Sequence, residues 1–316
     1  MIESLPNTSI SAVARRLVSM RQESGVAALG RVLSLVIAAS GPLDEAVIAA
    51  ANHASNEHPM RVIVLLTRPE GEAGLDAEIR VGADAGASEV VVLRAHGEVV
   101  SGVESLVTGL LLPDAPVVVW WPDAAPARPG SDPIGRIAQR RITDAAADRG
   151  AGWATRIAGY SAGDTDLAWT RLTRWREYLA AVLDQPPCEP VTAVEVVGSA
   201  LSPSTELLAA WLELALGVPT VCRLLPPEDP IRGVHSVTLT RPGGDAKLAR
   251  VTRLRAALSQ PGQPTHEIVL PRRSLSECLA EELRGLHEDV MYGRVLEQLA
   301  RTRAERIPTP RTENPA

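Results

Sequence analysis

LLLPDAPVVVWWPDA, from Leu110 to Ala124, decides how this chain folds. An apolar helix end meets a Pro-Asp-Ala-Pro turn. Three valines then open a strand that stops at Trp120-Trp121-Pro122. Successive side chains on a strand point to opposite faces, so the two indoles cannot share one core. One packs inside. The other must reach a second layer, a pocket or a partner.

Working outward, the flanking segments read as a β-α-β series. Ile10, Val13, Leu17 and Met20 fall at helical spacing over 9–21. RVLSLVIAA (31–39) is a buried strand. Pro42 opens a helix with the stripe Leu43, Val47, Ala50 and Ala54, and Pro59 ends it. RVIVLLT (61–67) is a second strand. Residues 75–82 and 89–95 are two more, joined through GADAGAS, and 98–111 is a helix leading into the Trp-Trp strand. Asp132-Pro133 is read as the cap of a helix carrying Ile134, Ile137, Ala138 and Ile142.

The second half repeats this order. TAVEVVGS (192–199) is a strand, and Ser202-Pro203 caps a helix running to Gly217 with Leu207, Leu208, Trp211 and Leu212 inward. TVCRLLP (220–226) follows. Strands 234–241 and 246–252 flank RPGGD, a hairpin signal. HEIVL (266–270) is a further strand. Ser274 and Glu277 form a capping box for a C-terminal helix that breaks near Gly285–His287. Between the halves a helix over 166–184 carries Trp169 and Trp175. Its stripe is Ala168, Leu172, Trp175, Leu179 and Val182, and Trp169 lies beside it.

The expected fold is therefore α/β, with two mixed-sheet domains whose shared order of elements suggests related topology, joined by a Trp-containing helix. The boundaries are 1–160 for the first domain, 161–303 for the second including helix 166–184, and 304–316 for a Pro-rich disordered tail. A chain of 316 residues is long for one core, which agrees with two domains.

Composition narrows the function. The net charge of −6 disfavours a nucleic-acid surface. Lys247 is the only lysine, so the arginines reflect a compositional bias more than a binding chemistry. Cys188, Cys222 and Cys278 are far apart, and no CxxC or Cys/His ligand spacing occurs, so neither zinc nor a disulfide framework is indicated. The start of the chain does not read as a signal peptide, and no apolar run reaches membrane-spanning length. A cytoplasmic location is expected.

Dinucleotide, P-loop and zinc-protease signatures do not occur. After the first long strand the chain holds AASGPLDE where a dinucleotide fold places GxGxxG, and GAGWAT (150–155) has only part of that spacing. GxxxxGK and HExxH are missing, and the six histidines share no ligand spacing. No catalytic residue, cofactor or metal is assigned. One weak anion site is the strand-to-helix turn with Ser199, Ser202, Ser204 and Thr205, where hydroxyls and backbone N–H groups could meet a sugar phosphate. The plain alternative is that these residues cap the helix. GADAGASEVVV (82–92) could be a phosphate loop but reads better as a tight connection, because no helix start follows it.

Tryptophan stands out, with six in a chain that has no Phe. Trp120, Trp175 and Trp211 suit cores. Trp121 and Trp169 sit off the expected buried stripes. Trp beside arginine is the composition of interface hot spots, so Trp121, Trp169, Arg171 and Arg174 are the candidate partner-binding residues.

Several segments in order, AALGRVLSLVI (27–37), ASNEHPMRVIVL (54–65), LLLPDAPVVVWWP, DPIGRIAQRRITDA (132–145), DTDLAWTRLTRWRE (164–177) and SLSECLAEELRGL (274–286), resemble the OpcA family of actinobacteria and cyanobacteria. The likeness runs from about Leu5 to about Leu299 and supplies no catalytic residue. It implies a non-catalytic assembly factor and activator, with glucose-6-phosphate dehydrogenase as partner and no nucleic acid or membrane involved. The rival reading is a sugar-phosphate enzyme or metabolite sensor using Ser199–Thr205.

Overall fold

A computed structural model describes residues 1–24, 32–81, 89–148, 152–185 and 188–306. The chain divides into two units, Met1–Arg171 with Arg272–Asp289, and Leu172–Pro271 with Val290 onward. Each has its own mixed sheet, so the protein is α/β in both.

In chain order the first unit has β1 (Ile2–Leu5), α1 (Ile10–Ser24), β2 (Leu33–Ala39), α2 (Glu45–Glu57), β3 (Met60–Arg68), β4 (Gly74–Arg80) and β5 (Glu89–His96). Then come α3 (Val103–Thr108), β6 (Val117–Trp121), β7 (Arg140–Thr143), α4 (Trp153–Ala158), β8 (Asp164–Asp166) and α5 (Leu167–Thr170). The second unit has α6 (Thr173–Leu183), β9 (Ala193–Ser199), α7 (Pro203–Leu216), β10 (Thr220–Leu225), β11 (Val234–Thr240), β12 (Ala246–Arg250), β13 (Arg255–Ser259) and β14 (His266–Val269). The chain then returns to the first unit with α8 (Leu275–Arg284) and ends in the second with α9 (Val290–Arg306).

The first sheet runs β1-β4-β5-β3-β2-β6-β7-β8. From β5 to β8 neighbouring strands are parallel, while β4 and β1 close one edge antiparallel. All seven residues of β2 are buried, the mark of a parallel strand covered on both faces. One face packs Val36, Ile63, Val119 and Trp121 against Val13, Leu17 and Met20 of α1. The other packs Leu35, Ile37, Val118 and Trp120 against Ala50 and Ala54 of α2 and Leu279 and Leu283 of α8. The two neighbouring indoles thus point into opposite layers of one sandwich, and the second layer, not a partner, takes Trp121.

The second sheet runs β10-β9-β11-β12-β13-β14. Its opening β9-α7-β10 is parallel, as is β2-α2-β3 in the first unit. The topologies then diverge. The strand pair after the β-α-β joins β3 in the first unit but β9, its first strand, in the second.

Three expectations change. The helix expected from Asp132 is a series of turns leading to β7; Asp132 still caps the amide of Ile134, but Arg140–Thr143 pair with β6 and β8. Burial of all four β7 residues between two strands outweighs their helical spacing. The helix read over 166–184 is two helices, capped by Asp166 at the first and broken at Arg171–Leu172, where Arg171 turns its guanidinium onto Asp144. On α7, Leu207, Leu208 and Leu212 are buried, but Trp211 is only half-buried. The 82–88 loop and the tail beyond 306 lie outside the described residues. Among the described residues no helix is long and apolar enough to cross a membrane.

Candidate functional site

β2 is the strand from which the parallel sheet grows both ways. α2 carries the chain to β3 on one side, and β6 lies on the other. The loops beyond the C-terminal ends of β2 and β6 separate there, and such a switch point is where open α/β sheets bind ligands. A cavity of about 420 Å³ opens at this place. The loop after β2 gives it Leu43 and Asp44, the residues after β6 give Asp123, and the residue after β7 gives Asp144, while Val47 of α2 and Leu275 of α8 form apolar wall.

Local structure explains the Asp44 end. Asp44 is the N-cap of α2, and its Oδ1 accepts from the amide of Ala46 at 2.8 Å. Its carbonyl accepts from the amides of Val47 and Ile48. The amides of Ala46, Val47 and Ile48 at the start of α2 are therefore occupied. In a dinucleotide fold the free amides at this helix start would hold a pyrophosphate.

Below the cleft lies a buried network of carboxylates and arginines. Asp144 accepts both Nη1 and Nη2 of Arg171 at 2.7 Å. This fork more than offsets burial, which pulls the Arg171 pKa down, and the net shift is upward. Asp166 is fully buried at the end of β8. It accepts from the Thr143 hydroxyl at 2.6 Å and from the amides of Ala145 and Ala168. Burial and then the nearby Asp144 push its carboxyl up to about 7, against the pull of these donors. Asp164 is raised by burial and held back by Arg141, whose Nε reaches its Oδ1 at 2.5 Å. Arg156 pairs with Asp148.

A second cluster fixes α8 to the first unit. Glu282 accepts from Arg140 Nη2 at 2.5 Å and from the Thr170 hydroxyl. Arg140 also donates to the carbonyl of His287 at 2.6 Å, and Arg273 donates to that of Thr170 at 2.8 Å. Burial raises the Cys278 thiol to about 11, although Arg171 and Arg273 lie near it. Among the described residues no group of three or more His, Cys, Asp or Glu could hold a metal ion.

The residues singled out by sequence are not gathered into one place. Trp121 is 5% exposed and packs in the core, and Trp169 is 1% exposed with its indole N–H on Asp289 at 2.7 Å. The premise that these two indoles stand off the buried faces is therefore corrected: a sheet covered on both sides leaves no outward face for Trp121, and Asp289 supplies the polar partner that lets Trp169 be enclosed. Arg171 keeps about a quarter of its side chain at the surface, 27%, and Arg174 is half-buried on α6. Ser199, Ser204 and Thr205 are buried. The Ser199 hydroxyl accepts from the amide of Leu201, the Thr205 hydroxyl donates to the carbonyl of Ser199, and Ser202 makes no side-chain cap. Gly198 shows how tight this turn is, since a Cβ there would meet Thr205 Oγ1 at 2.5 Å. Sequence reasoning missed Asp44, Asp123 and Asp144. The available signal was their position, each just beyond the end of a parallel strand next to a Pro or a turn.

Comparison with known proteins adds three findings. Two families described as domains of a glucose-6-phosphate dehydrogenase subunit match the chain, the N-terminal domain over residues 51–156 and the C-terminal domain over residues 162–296. No curated protein sequence matches the chain. Among solved structures, an inositol dehydrogenase homolog complexed with NAD+ from Azotobacter vinelandii aligns at 8% identity over 89% of this chain and 90% of that one, with a TM-score of 0.39. An E. coli structure named as trehalose-6-phosphate bound with UDP-2-fluoro glucose aligns at 10% identity over 57% of this chain and 61% of that one, with a TM-score of 0.27. Scores this low establish no shared fold. The two family matches lie in order along one chain, with α5 and α8, both inside the second match, completing the first structural unit. The chain belongs to the OpcA family of glucose-6-phosphate dehydrogenase assembly proteins.

Proposed function

We propose that this chain is a non-catalytic assembly factor and activator of glucose-6-phosphate dehydrogenase, acting by binding the active oligomer. The observation that carries this reading is the pair of family matches over 51–156 and 162–296, both described as domains of a subunit of that enzyme. The switch-point cleft supports the non-catalytic part. Its helix start is capped by Asp44, and carboxylates line the place where a dinucleotide's phosphates would need donors. With no chemistry of its own, the chain acts by binding one state of the dehydrogenase better than another. We place the contact on surfaces other than the enclosed indoles of Trp121 and Trp169; Arg171 and Arg174, each partly at the surface, remain candidates for it.

The test is reconstitution. The purified chain and the dehydrogenase of the same organism are mixed, passed over a sizing column and assayed for NADPH formation. Co-elution and a rate that saturates with added chain are expected, with no turnover by the chain alone. Separate elution with no change in rate overturns the proposal, and so does saturable NADPH formation by the isolated chain.

A further inference from the structure

We infer that the tip of the β12–β13 hairpin, with the end of β14, is a surface by which the second unit docks on the dehydrogenase, at a patch of carboxylates around an apolar seat. The inference rests on the proposed reading that the dehydrogenase is the partner. Val251, Leu254 and Val269 are 58%, 63% and 68% exposed. They lie together: the Val251 amide donates to the carbonyl of Arg255, the Leu254 carbonyl accepts from the amide of Leu270, and Arg255 stands directly beside Val269 in the sheet. The turn itself is held by Thr252, whose hydroxyl accepts from the amides of Leu254 and Arg255. That bonding asks nothing apolar of Val251 or Leu254, and turns ordinarily carry polar residues. Val269 sits on β14, the last strand of its sheet, where charged side chains normally guard the edge. Three clustered aliphatic side chains thus serve neither core nor turn. The tip is also fixed in advance. Arg250 Nη1 donates to the carbonyls of Arg253 and Leu270 at 3.1 and 2.6 Å, and its guanidinium lies 5.6 Å from the Trp175 ring centroid. A surface ordered before its partner arrives loses less entropy on binding.

Charge selects the occupant. From Val234 to Leu270, Arg241, Lys247, Arg250, Arg253 and Arg255 stand against Asp245 and Glu267, in a chain whose net charge is −6. Arg253 and Arg255 flank Leu254 at the tip. Arg255 meets Glu267 across the strands, but both side chains are mostly exposed and water screens the pair. Arg253 is exposed and has no acidic partner among the described residues. A second copy packed across a two-fold axis through the tip would set these arginines against their own images. An anionic membrane is disfavoured because the tip has no aromatic anchor and Glu267 stands in it. A nucleic acid would find no ring on which to stack. Aliphatic side chains in the middle and cations at the rim match a protein surface with an apolar centre and carboxylates around it.

Titration calorimetry of the full chain onto the dehydrogenase of the same organism tests this. Leu254→Asp should weaken binding by about tenfold or more. Arg253→Glu should weaken it as well, and should flatten the fall in affinity that the parent shows as salt is raised. Both side chains are exposed, so urea midpoints should stay at the parent value; if Leu254→Asp melts early, Arg253→Glu decides. Val221→Asp changes an exposed residue of β10, at the opposite edge of the same sheet, and should bind as the parent does. Parent-like binding by both tip variants overturns the inference and leaves the proposed function standing. An equal loss in Val221→Asp does the same. No binding by the parent chain overturns both. Sedimentation of the parent with phosphatidylglycerol vesicles that is lost in the tip variants, while their binding to the dehydrogenase is unchanged, would assign the tip to a membrane and overturn the inference.

Discussion

Trp169 and Asp289, 120 residues apart in sequence, are joined by an indole N–H to Oδ2 hydrogen bond of 2.7 Å inside the first unit. The bond fixes the end of the α8 segment to α5, and it converts a tryptophan suited to an interface into a buried strut. A buried indole needs such a partner, because an unpaired N–H in the interior is costly.

Trp169→Ala should therefore act on stability first. Loss of a buried Trp costs about 3–5 kcal/mol, and a denaturant midpoint that falls accordingly is the expected outcome. Trp169→Phe keeps most of the volume and should cost less, about 1.5–3 kcal/mol for a hydrogen bond to a charged group. An unchanged midpoint with weakened dehydrogenase binding would place this indole on the partner surface instead.

The Arg140–Glu282 pair is 5% exposed on both sides and should behave as a buried ion pair. Glu282→Gln leaves Arg140 uncompensated and should destabilise by about 3–5 kcal/mol, whereas replacing both with Met should cost much less. A double-mutant cycle by urea unfolding measures this. Hydrogen exchange in α8 should rise in the single variant and return toward the parent level in the double.

Asp166 predicts the sign of a pH dependence. Its carboxyl is raised to about 7 in the folded protein, above the ordinary carboxylate value it has when unfolded. Between those values the folded state holds a proton that the unfolded state has lost. This group's contribution is fully present at the acid end of that window and is lost as pH rises through about 7, with a slope of at most about 1.4 kcal/mol per pH unit. Asp166→Asn should flatten the urea-midpoint profile between pH 5 and 8. A profile with its slope intact would show that other groups set it.

The thiols should differ in reactivity. Cys188 is exposed, whereas Cys278 is buried with its thiol raised to about 11. Brief iodoacetamide treatment of the native protein at pH 8 should modify Cys188 and spare Cys278, because the thiolate is the nucleophile. Peptide mass mapping reads the result, and equal labelling would mean that the α8 face opens readily.

If the chain activates by choosing one state of the dehydrogenase, the coupling is reciprocal. Saturating glucose 6-phosphate and NADP should tighten the dehydrogenase's affinity for this chain by the factor that the chain applies to substrate affinity. Calorimetric titrations with and without substrate measure both. Equal affinity in all conditions beside a real change in substrate affinity contradicts the mechanism.

By itself the sequence determined the elements whose signals are local. The parallel β-α-β openings followed from apolar runs bounded by Pro42, Pro59 and Ser202-Pro203, and the Ser274/Glu277 capping box formed as its spacing required. It also determined that Trp120 and Trp121 face opposite ways, since that follows from the pleat of any strand. Tertiary structure decided what each face meets. A sheet covered on both sides took in both indoles, and strand pairing drew Arg140–Thr143 away from their helical spacing. It brought α8 back across more than a hundred residues to the first unit, where Arg140 and Thr170 hold Glu282. The cleft was hidden for the same reason. Asp44, Asp123 and Asp144 belong to three separate turns, and only the order of strands in the sheet sets them around one cavity.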